Sequence, residues 1–476
     1  MTTSVHPSTT NHLAADSDTT TISSRIFVDP RTRLEQTMVR DYGDSAEYRP
    51  QDSVEEVELI GLTTAMTGLG KDMQKRGFLR SRAVQTGSMK SMYGQDAALM
   101  NTLTFGDLTF SFGAIADGHG LGGEVISKHA ILGLQTHLFT ETMMRNIHTL
   151  VLAKDEAGVR AEMTRIFLLV DEKTDTISRY GGSTLTAWIL FHPLQGRSFL
   201  VSANVGDSPL MLASCADGRV AEMAVAHNWD SIEERRANIQ ACKDAGRPIP
   251  EIIYARWNTK ENTQVPDIKG EYQPIRLFVG DTDQVDEANR DYVTAMMKYR
   301  GVAGGIQSRI KMVQLVQNPT TMMLESESLR THAHENFGST PLHVEEDGSL
   351  HGGPQMSRGI GDSSHKDTSP HMPLMTATPS VAILELYSPR PIQLVLIACS
   401  DGPGDALYRS EIGEEAMRFF RASPSGTASD FTEHLYNTAL REGTKFFKNR
   451  AWDDMSMICT CFTLRPSTVG YSSIPV

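Results

Sequence analysis

The run SFLVSANVGDSPLMLAS (residues 198–214) decides the fold, because two short apolar stretches meet there at Gly-Asp-Ser. Gly, Asp, Ser and Pro are turn formers, so the pair predicts a β-hairpin. VAILELY (381–387) and IQLVLIACS (392–400) repeat the arrangement around SPRP, where proline suits a turn and not a central strand. Two hairpins imply antiparallel sheet. Further strands are predicted at LTFSFGAIA (108–116), STLTAWILF (183–191) and MSMICTCFTL (455–464). Apolar residues spaced by three and four predict helices over 122–139, 160–178, 414–423 and 430–443. Strand groups beside helix groups give an α+β fold.

Composition narrows the function classes. The chain has 476 residues, of which 39% are hydrophobic and 22% charged, and it holds no apolar run near the roughly 18 residues of a membrane span. A membrane protein is not expected. A net charge of −13 argues against binding nucleic acid through its phosphates, which depends on clustered Lys and Arg. Five scattered cysteines without a C-x-x-C motif suggest neither a disulfide framework nor a zinc site. With no basic-then-apolar leader at the N-terminus, a cytoplasmic location is expected.

Residues 1–55 are polar and rich in Ser and Thr, and read as a disordered tail. One domain is expected over 56–465, with an elaborated insertion at 227–355 where charged helical stretches mix with Pro, Gly and His, and a C-terminal tail at 466–476. The insertion is a candidate site for a protein partner.

Acids recur at strand ends. Asp117 follows AIA, Asp401 follows LIACS, and Asp453 and Asp454 precede MSMIC. A single Asp-Gly after a strand is usually only a turn; acids at three strand ends are better explained by a shared hard cation, which relieves their mutual repulsion. Magnesium or manganese suits such oxygen donors. Asp405 lies four residues after Asp401, so a helical turn there sets both on one face, and Asp207 adds another carboxylate.

Three other signals read as structural. Ser208 in NVGDSP lacks the following glycines of a protease nucleophile and is explained by its turn. AMTGLGKD (65–72) misses two positions of a phosphate-binding P-loop. The stretch THAH (331–334), with His343, His351, His365 and His371, fits no common zinc spacing.

Taken in order, these motifs resemble those of the metal-dependent protein phosphatases of the 2C type. GQDA (94–97) is similar to the family's opening acidic motif, with Gln95 where many relatives carry Glu. ADGHG (116–120), GGSTLTAW (181–188), ANVGDSPLML (203–212), AHNW (226–229), MSRGIGD (356–362), LIACSDGPGD (396–405) and WDDMSMI (452–458) follow in the family's sequence. The resemblance implies a β-sandwich of two antiparallel sheets flanked by helices. It implies that Asp117 bridges two Mg²⁺ or Mn²⁺ ions, with the Gly118 carbonyl, Asp401 and Asp453 completing their shells, and that Asp207 and Asp405 hold a third, weaker ion. A metal-bridging hydroxide would attack the phosphorus of phosphoserine or phosphothreonine in a protein substrate, and His119 would protonate the leaving oxygen. Asp96 belongs to the opening motif. The family's phosphate-binding Arg position is Ser91 here, so Lys90, its nearest cationic neighbour, becomes the phosphate-binding candidate, with Arg80 and Arg82 as substitutes. Two alternatives stay open: a non-catalytic scaffold or binding module with this fold, and a phosphatase of a small phosphorylated metabolite.

Overall fold

The computed structural model describes residues 25–28, 78–82, 95–105, 108–172, 174–193, 198–229, 231–247, 249, 253–256, 276–279, 340–344, 350–368, 373–386, 391–447 and 455–464. In chain order the elements are β1 (Arg25–Val28), β2 (Phe78–Arg82), β3 (Ala97–Phe105), β4 (Leu108–Ala116), β5 (Gly118–Gly120), α1 (Gly123–His137), α2 (Glu141–Leu152) and α3 (Glu156–Asp171). Then come β6 (Gly181–Ser183), β7 (Leu185–Pro193), β8 (Ser198–Val205), β9 (Leu210–Ser214), β10 (Val220–Glu222), α4 (Ile232–Asp244), β11 (Ile253–Arg256), β12 (Arg276–Val279), β13 (Thr340–Val344) and β14 (Leu350–Gly352). The chain closes with β15 (Ile360–Gly361), β16 (Ser380–Leu386), β17 (Ile392–Cys399), α5 (Asp401–Ala406), α6 (Arg409–Ala422), α7 (Ala428–Phe447) and β18 (Met455–Leu464).

Two large sheets carry the architecture. One runs β1-β3-β4-β7-β8-β16 and the other β10-β9-β17-β18-β2, with every neighbouring pair antiparallel. Alternation along each strand sends residues to two faces. On β4, Phe110, Phe112 and Ala114 pack beneath Ile126 and Ile131 of α1, Ile147 of α2 and Phe167 of α3. On β17, Val395, Ile397 and Cys399 pack beneath Ile412 of α6 and Phe431 and Leu435 of α7. The opposite faces meet each other: Trp188, Leu190 and Leu200 of the first sheet against Leu210, Leu396, Ile458 and Phe462 of the second. Helices, sheet, sheet and helices thus form four layers, the α+β sandwich expected from the motifs. Helix starts are fixed by side chains: Thr140, Asp155 and Ser231 each accept a bond from the N–H three residues on, worth about 1 kcal/mol apiece.

Both predicted hairpins are corrected. β8 belongs to the first sheet and β9 to the second, so Gly-Asp-Ser carries the chain across the sandwich; β16 and β17 are divided in the same way. Strands β8 and β9 are buried on both faces, and without a polar face the sequence does not say which sheet each joins. Within the stretch 1–55, Arg25–Val28, with its apolar Ile-Phe-Val run, pairs along β3 as an edge strand. The predicted strand 183–191 breaks at Thr184, which separates β6 from β7.

A three-stranded sheet, β15-β6-β5, lies at one end of the sandwich, and within 227–355 the strands β12-β11-β13-β14 form a fourth sheet. The charged stretch 286–301 of the insertion and the stretch 65–72 lie outside the described residues. No helix among the described residues is long and apolar enough to cross a membrane.

Candidate active site

The site forms where β4 ends. The main chain of Asp117 is pinned to the β6–β7 break: its N–H donates to Thr184 Oγ1 at 3.0 Å, and its carbonyl accepts from the Thr184 N–H at 2.9 Å and the Ser183 hydroxyl at 3.1 Å. Its carboxylate Oδ2 accepts the backbone N–H of Asp401 at 3.3 Å, across 284 positions of sequence. Asp401 opens α5 directly after β17, where N–H groups have no partner within the helix. Its own Oδ1 is buried and has no hydrogen-bond partner among the described residues. Two of the acids singled out by sequence therefore meet.

Gly118 follows on β5. A Cβ there would stand 2.4 Å from the Gly123 carbonyl oxygen and 2.5 Å from that of Gln95, so no other residue fits. Gln95 ties this turn together: its carbonyl accepts from the Gly118 N–H at 3.2 Å and the Ser127 hydroxyl at 2.6 Å, while its Nε2 donates to the Gly120 carbonyl at 2.9 Å. Asp96, beside it, is buried. Burial, above all, pushes the Cys399 thiol up, with the Cys459 thiol and the charges of Asp401 and Asp96 adding to the rise and the Arg409 charge opposing it.

His119 Nε2 lies 2.8 Å from Asp362 Oδ1. Asp362 ends the MSRGIGD block just after β15, in the left-handed region at φ 51°. Burial pushes its carboxyl up, but the charge and hydrogen bond of His119, with His365 and Lys366 behind it, hold the carboxyl below its ordinary value. In the same block Arg358 forks onto Glu234 of α4 at 2.9 and 2.6 Å, and the Ser357 hydroxyl donates to Glu234 at 2.6 Å. Arg358 is thus a structural anchor.

Asp207, on the crossing between β8 and β9, lines a pocket of about 30 Å³ together with Asp401, Asn228 and Arg409. Asp405 lies in α5, as the helical-turn expectation requires, and its side chain is outside the described residues. So are Lys90, Ser91, Asp453, Asp454 and the side chains of Arg80 and Arg82. Among the described residues no three His, Cys, Asp or Glu side chains cluster as a ligand set. Ser208 is buried with its hydroxyl 2.6 Å from Thr184 Oγ1, a structural role.

No protein-family model and no curated protein sequence matches the chain. Solved structures do. The serine-threonine phosphatase 2C of Toxoplasma gondii is 13% identical, with 81% of this chain and 95% of that one covered and a TM-score of 0.46. The serine/threonine phosphatases of Mycobacterium tuberculosis and Staphylococcus aureus are 16% and 14% identical, cover 97% and 93% of their own lengths against 81% of this chain, and give TM-scores of 0.35 and 0.37. All three bear the name serine/threonine phosphatase. These are likenesses of overall chain path, and the roles of individual residues rest on the geometry above.

Sequence reasoning missed two residues here. Asp362 was visible as the end of a Gly-Ile-Gly-Asp run without a function attached to it. His365 stood among histidines set aside, yet it lies close enough to Asp362 for each to affect the other's proton affinity.

Proposed function

We propose that the chain is a metal-dependent phosphatase of phosphoserine and phosphothreonine in proteins. The observation that carries the reading is the hydrogen bond from the Asp401 backbone N–H to the Asp117 carboxylate, which joins two acidic residues from opposite sheets of the sandwich. The donors present fit a hard divalent cation: the buried Asp401 Oδ1 has no partner among the described residues, carboxylate oxygen is the ligand Mg²⁺ and Mn²⁺ prefer, and the glycine at 118 leaves no side chain over its carbonyl. Asp117, the Gly118 carbonyl, Asp401 and Asp453 would hold two ions, with Asp207 and Asp405 holding a third. Bound there, the ions supply an ionised water and neutralise phosphate charge.

The chain's own groups do the rest. His119, at 22% side-chain exposure, reaches solvent and protonates the leaving seryl or threonyl oxygen. Lys90 attracts the phosphate as a point charge, and Asp96 adds negative charge beside the acids. The core recognises phosphate, whereas the 227–355 segment chooses the phosphorylated partner. We place the enzyme in the cytoplasm.

The test is turnover of a phosphothreonine peptide and of p-nitrophenyl phosphate with Mn²⁺. Turnover by the wild type should vanish on chelation and fall at least about 100-fold in Asp401→Asn. Turnover indifferent to both would remove the metal mechanism, tight Mn²⁺ binding without turnover would favour a scaffold, and sugar-phosphate preferred over peptide would favour a metabolite enzyme.

A further inference from the structure

Asp362 stands 243 residues from His119 in sequence and 2.8 Å from its Nε2 in space. Three features build this contact. A Cβ at position 182 would lie 2.2 Å from Asp362 Oδ2, so the β6 backbone at Gly182 is shaped to receive the carboxylate. The Asp362 N–H donates to the Gly181 carbonyl at 2.9 Å, which holds the residue in its left-handed conformation, one that L-residues other than Asn and Asp seldom adopt. Behind it, Asp171 at the end of α3 accepts both the Gly361 N–H at 2.8 Å and Lys366 Nζ at 2.6 Å, clamping the turn from either side.

We infer that Asp362 is the positioning carboxylate of His119, seated by Gly182 and the Asp171–Lys366 clamp so that Nε2–H stays on Asp362 and Nδ1 is the nitrogen that exchanges a proton with the substrate. The second nitrogen, Nδ1, has no hydrogen-bond partner among the described residues and is closed to bulk water although the ring is 22% exposed, so it is left for a group that enters the site, an arrangement kept chiefly where function needs it. Resting on the phosphatase reading, the step balances as follows. Starting from the imidazolium, with a proton on each nitrogen, water oxygen bonds to phosphorus and its protons pass to the released phosphate and solvent, the bond from phosphorus to the seryl or threonyl oxygen breaks, and the Nδ1 proton ends on that oxygen, leaving the neutral Nε2–H ring on Asp362. A carboxylate that fixes ring orientation and tautomer in this way acts through the imidazole and touches no reacting atom.

The experiment has two arms. In the first, Asp362→Asn, Gly182→Ala and His119→Gln are assayed with Mn²⁺ on a phosphothreonine peptide, whose alkoxide needs a proton, and on p-nitrophenyl phosphate, whose leaving group does not. Asp362→Asn should lose at least tenfold more kcat on the peptide than on the aryl ester, Gly182→Ala should repeat that signature, and in a His119→Gln background Asp362→Asn should cost nothing further. Equal losses on both substrates, or full additivity with His119→Gln, would overturn the assignment. In the second arm, ¹H–¹⁵N correlation of the imidazole rings, with His119 assigned by its absence in His119→Gln, should show an Nε2–H tautomer in the wild type that is lost in Asp362→Ala. An Nδ1–H tautomer in the wild type sinks the assignment whatever the activity, whereas an Nε2–H tautomer in a protein that hydrolyses neither substrate leaves Asp362 as the partner of His119 and removes the phosphatase reading instead.

Discussion

Single residues at the site work by what they leave out as much as by what they add. At Gly118 the carbonyls of Gln95 and Gly123 close in from two sides, so Gly118→Ala must push backbone apart; a loss of about 1–3 kcal/mol in denaturant unfolding and loss of chelator-sensitive turnover are expected together. His227 shows a different case, a buried ring bonded through one nitrogen, with no partner for Nδ1 among the described residues. It donates its backbone N–H to the Gly206 carbonyl and pairs Nε2 with the Ser380 hydroxyl at 2.7 Å. Burial first, and the Arg358 charge second, lower its pKa from 6.5 to about 4, against a smaller opposing pull from Glu234. The unfolded chain therefore binds a proton that the folded chain refuses between those values, and stability present above pH 6.5 is lost as the pH falls towards 4. That loss amounts to roughly 3 kcal/mol at about 1.4 kcal/mol per unit. In His227→Asn the slope of unfolding free energy against pH over this window should flatten, whatever the mutation does to absolute stability. A slope unchanged from wild type would show that His227 is not the titrating group. Asp117, Asp401 and His119 were legible in the sequence because each follows a recognisable strand with glycine beside it. Asp362 and His227 were not, since their roles depend on partners far away in the chain.

At the scale of elements, most runs were readable and their pairing was not. LTFSFGAIA, SFLVSANV and MSMICTCFTL coincide with β4, β8 and β18. The turn residues between β8 and β9 were also real, yet they bridge two sheets, because the tightness of a turn does not fix the direction in which the next strand leaves it. That crossing is what delivers Asp207 to the pocket it shares with Asp401. Helix α3 has a comparable use. Its last residue, Asp171, holds Gly361 and Lys366 with side chains that are mostly buried on both partners. Removing the carboxylate leaves a backbone N–H and an ammonium group poorly satisfied, so Asp171→Ala should cost about 1–3 kcal/mol in equilibrium unfolding. Lys366→Met, which removes the charge and keeps much of the stem, should cost less. If Asp171→Ala were neutral, α3 would not be the support of the turn that carries Asp362.

Across the whole molecule, the sandwich places its thiols where reagents do not reach. Cys215, Cys399, Cys459 and Cys461 lie in the core between the second sheet and helices α5–α7, and Cys242 is buried in α4. Burial pushes the Cys215 and Cys459 thiols up to about 12, and Cys399 is raised as well, so almost none of these groups is thiolate near neutrality. The thiolate is the reactive form. Because β17 and β18 are central strands sealed by Phe431 and Leu435 on one side and by the first sheet on the other, exposing their cysteines requires the helical layer to leave the sheet. The native protein should therefore leave all five thiols unmodified by a disulfide-exchange reagent at about pH 8, and release all five in denaturant. The modification rate at intermediate denaturant should follow the same transition as far-ultraviolet circular dichroism. Reaction of Cys459 in native buffer at the rate of a free thiol would mean that the α6–α7 layer opens independently of the sheets, and with it the N-terminus of α5 that presents Asp401.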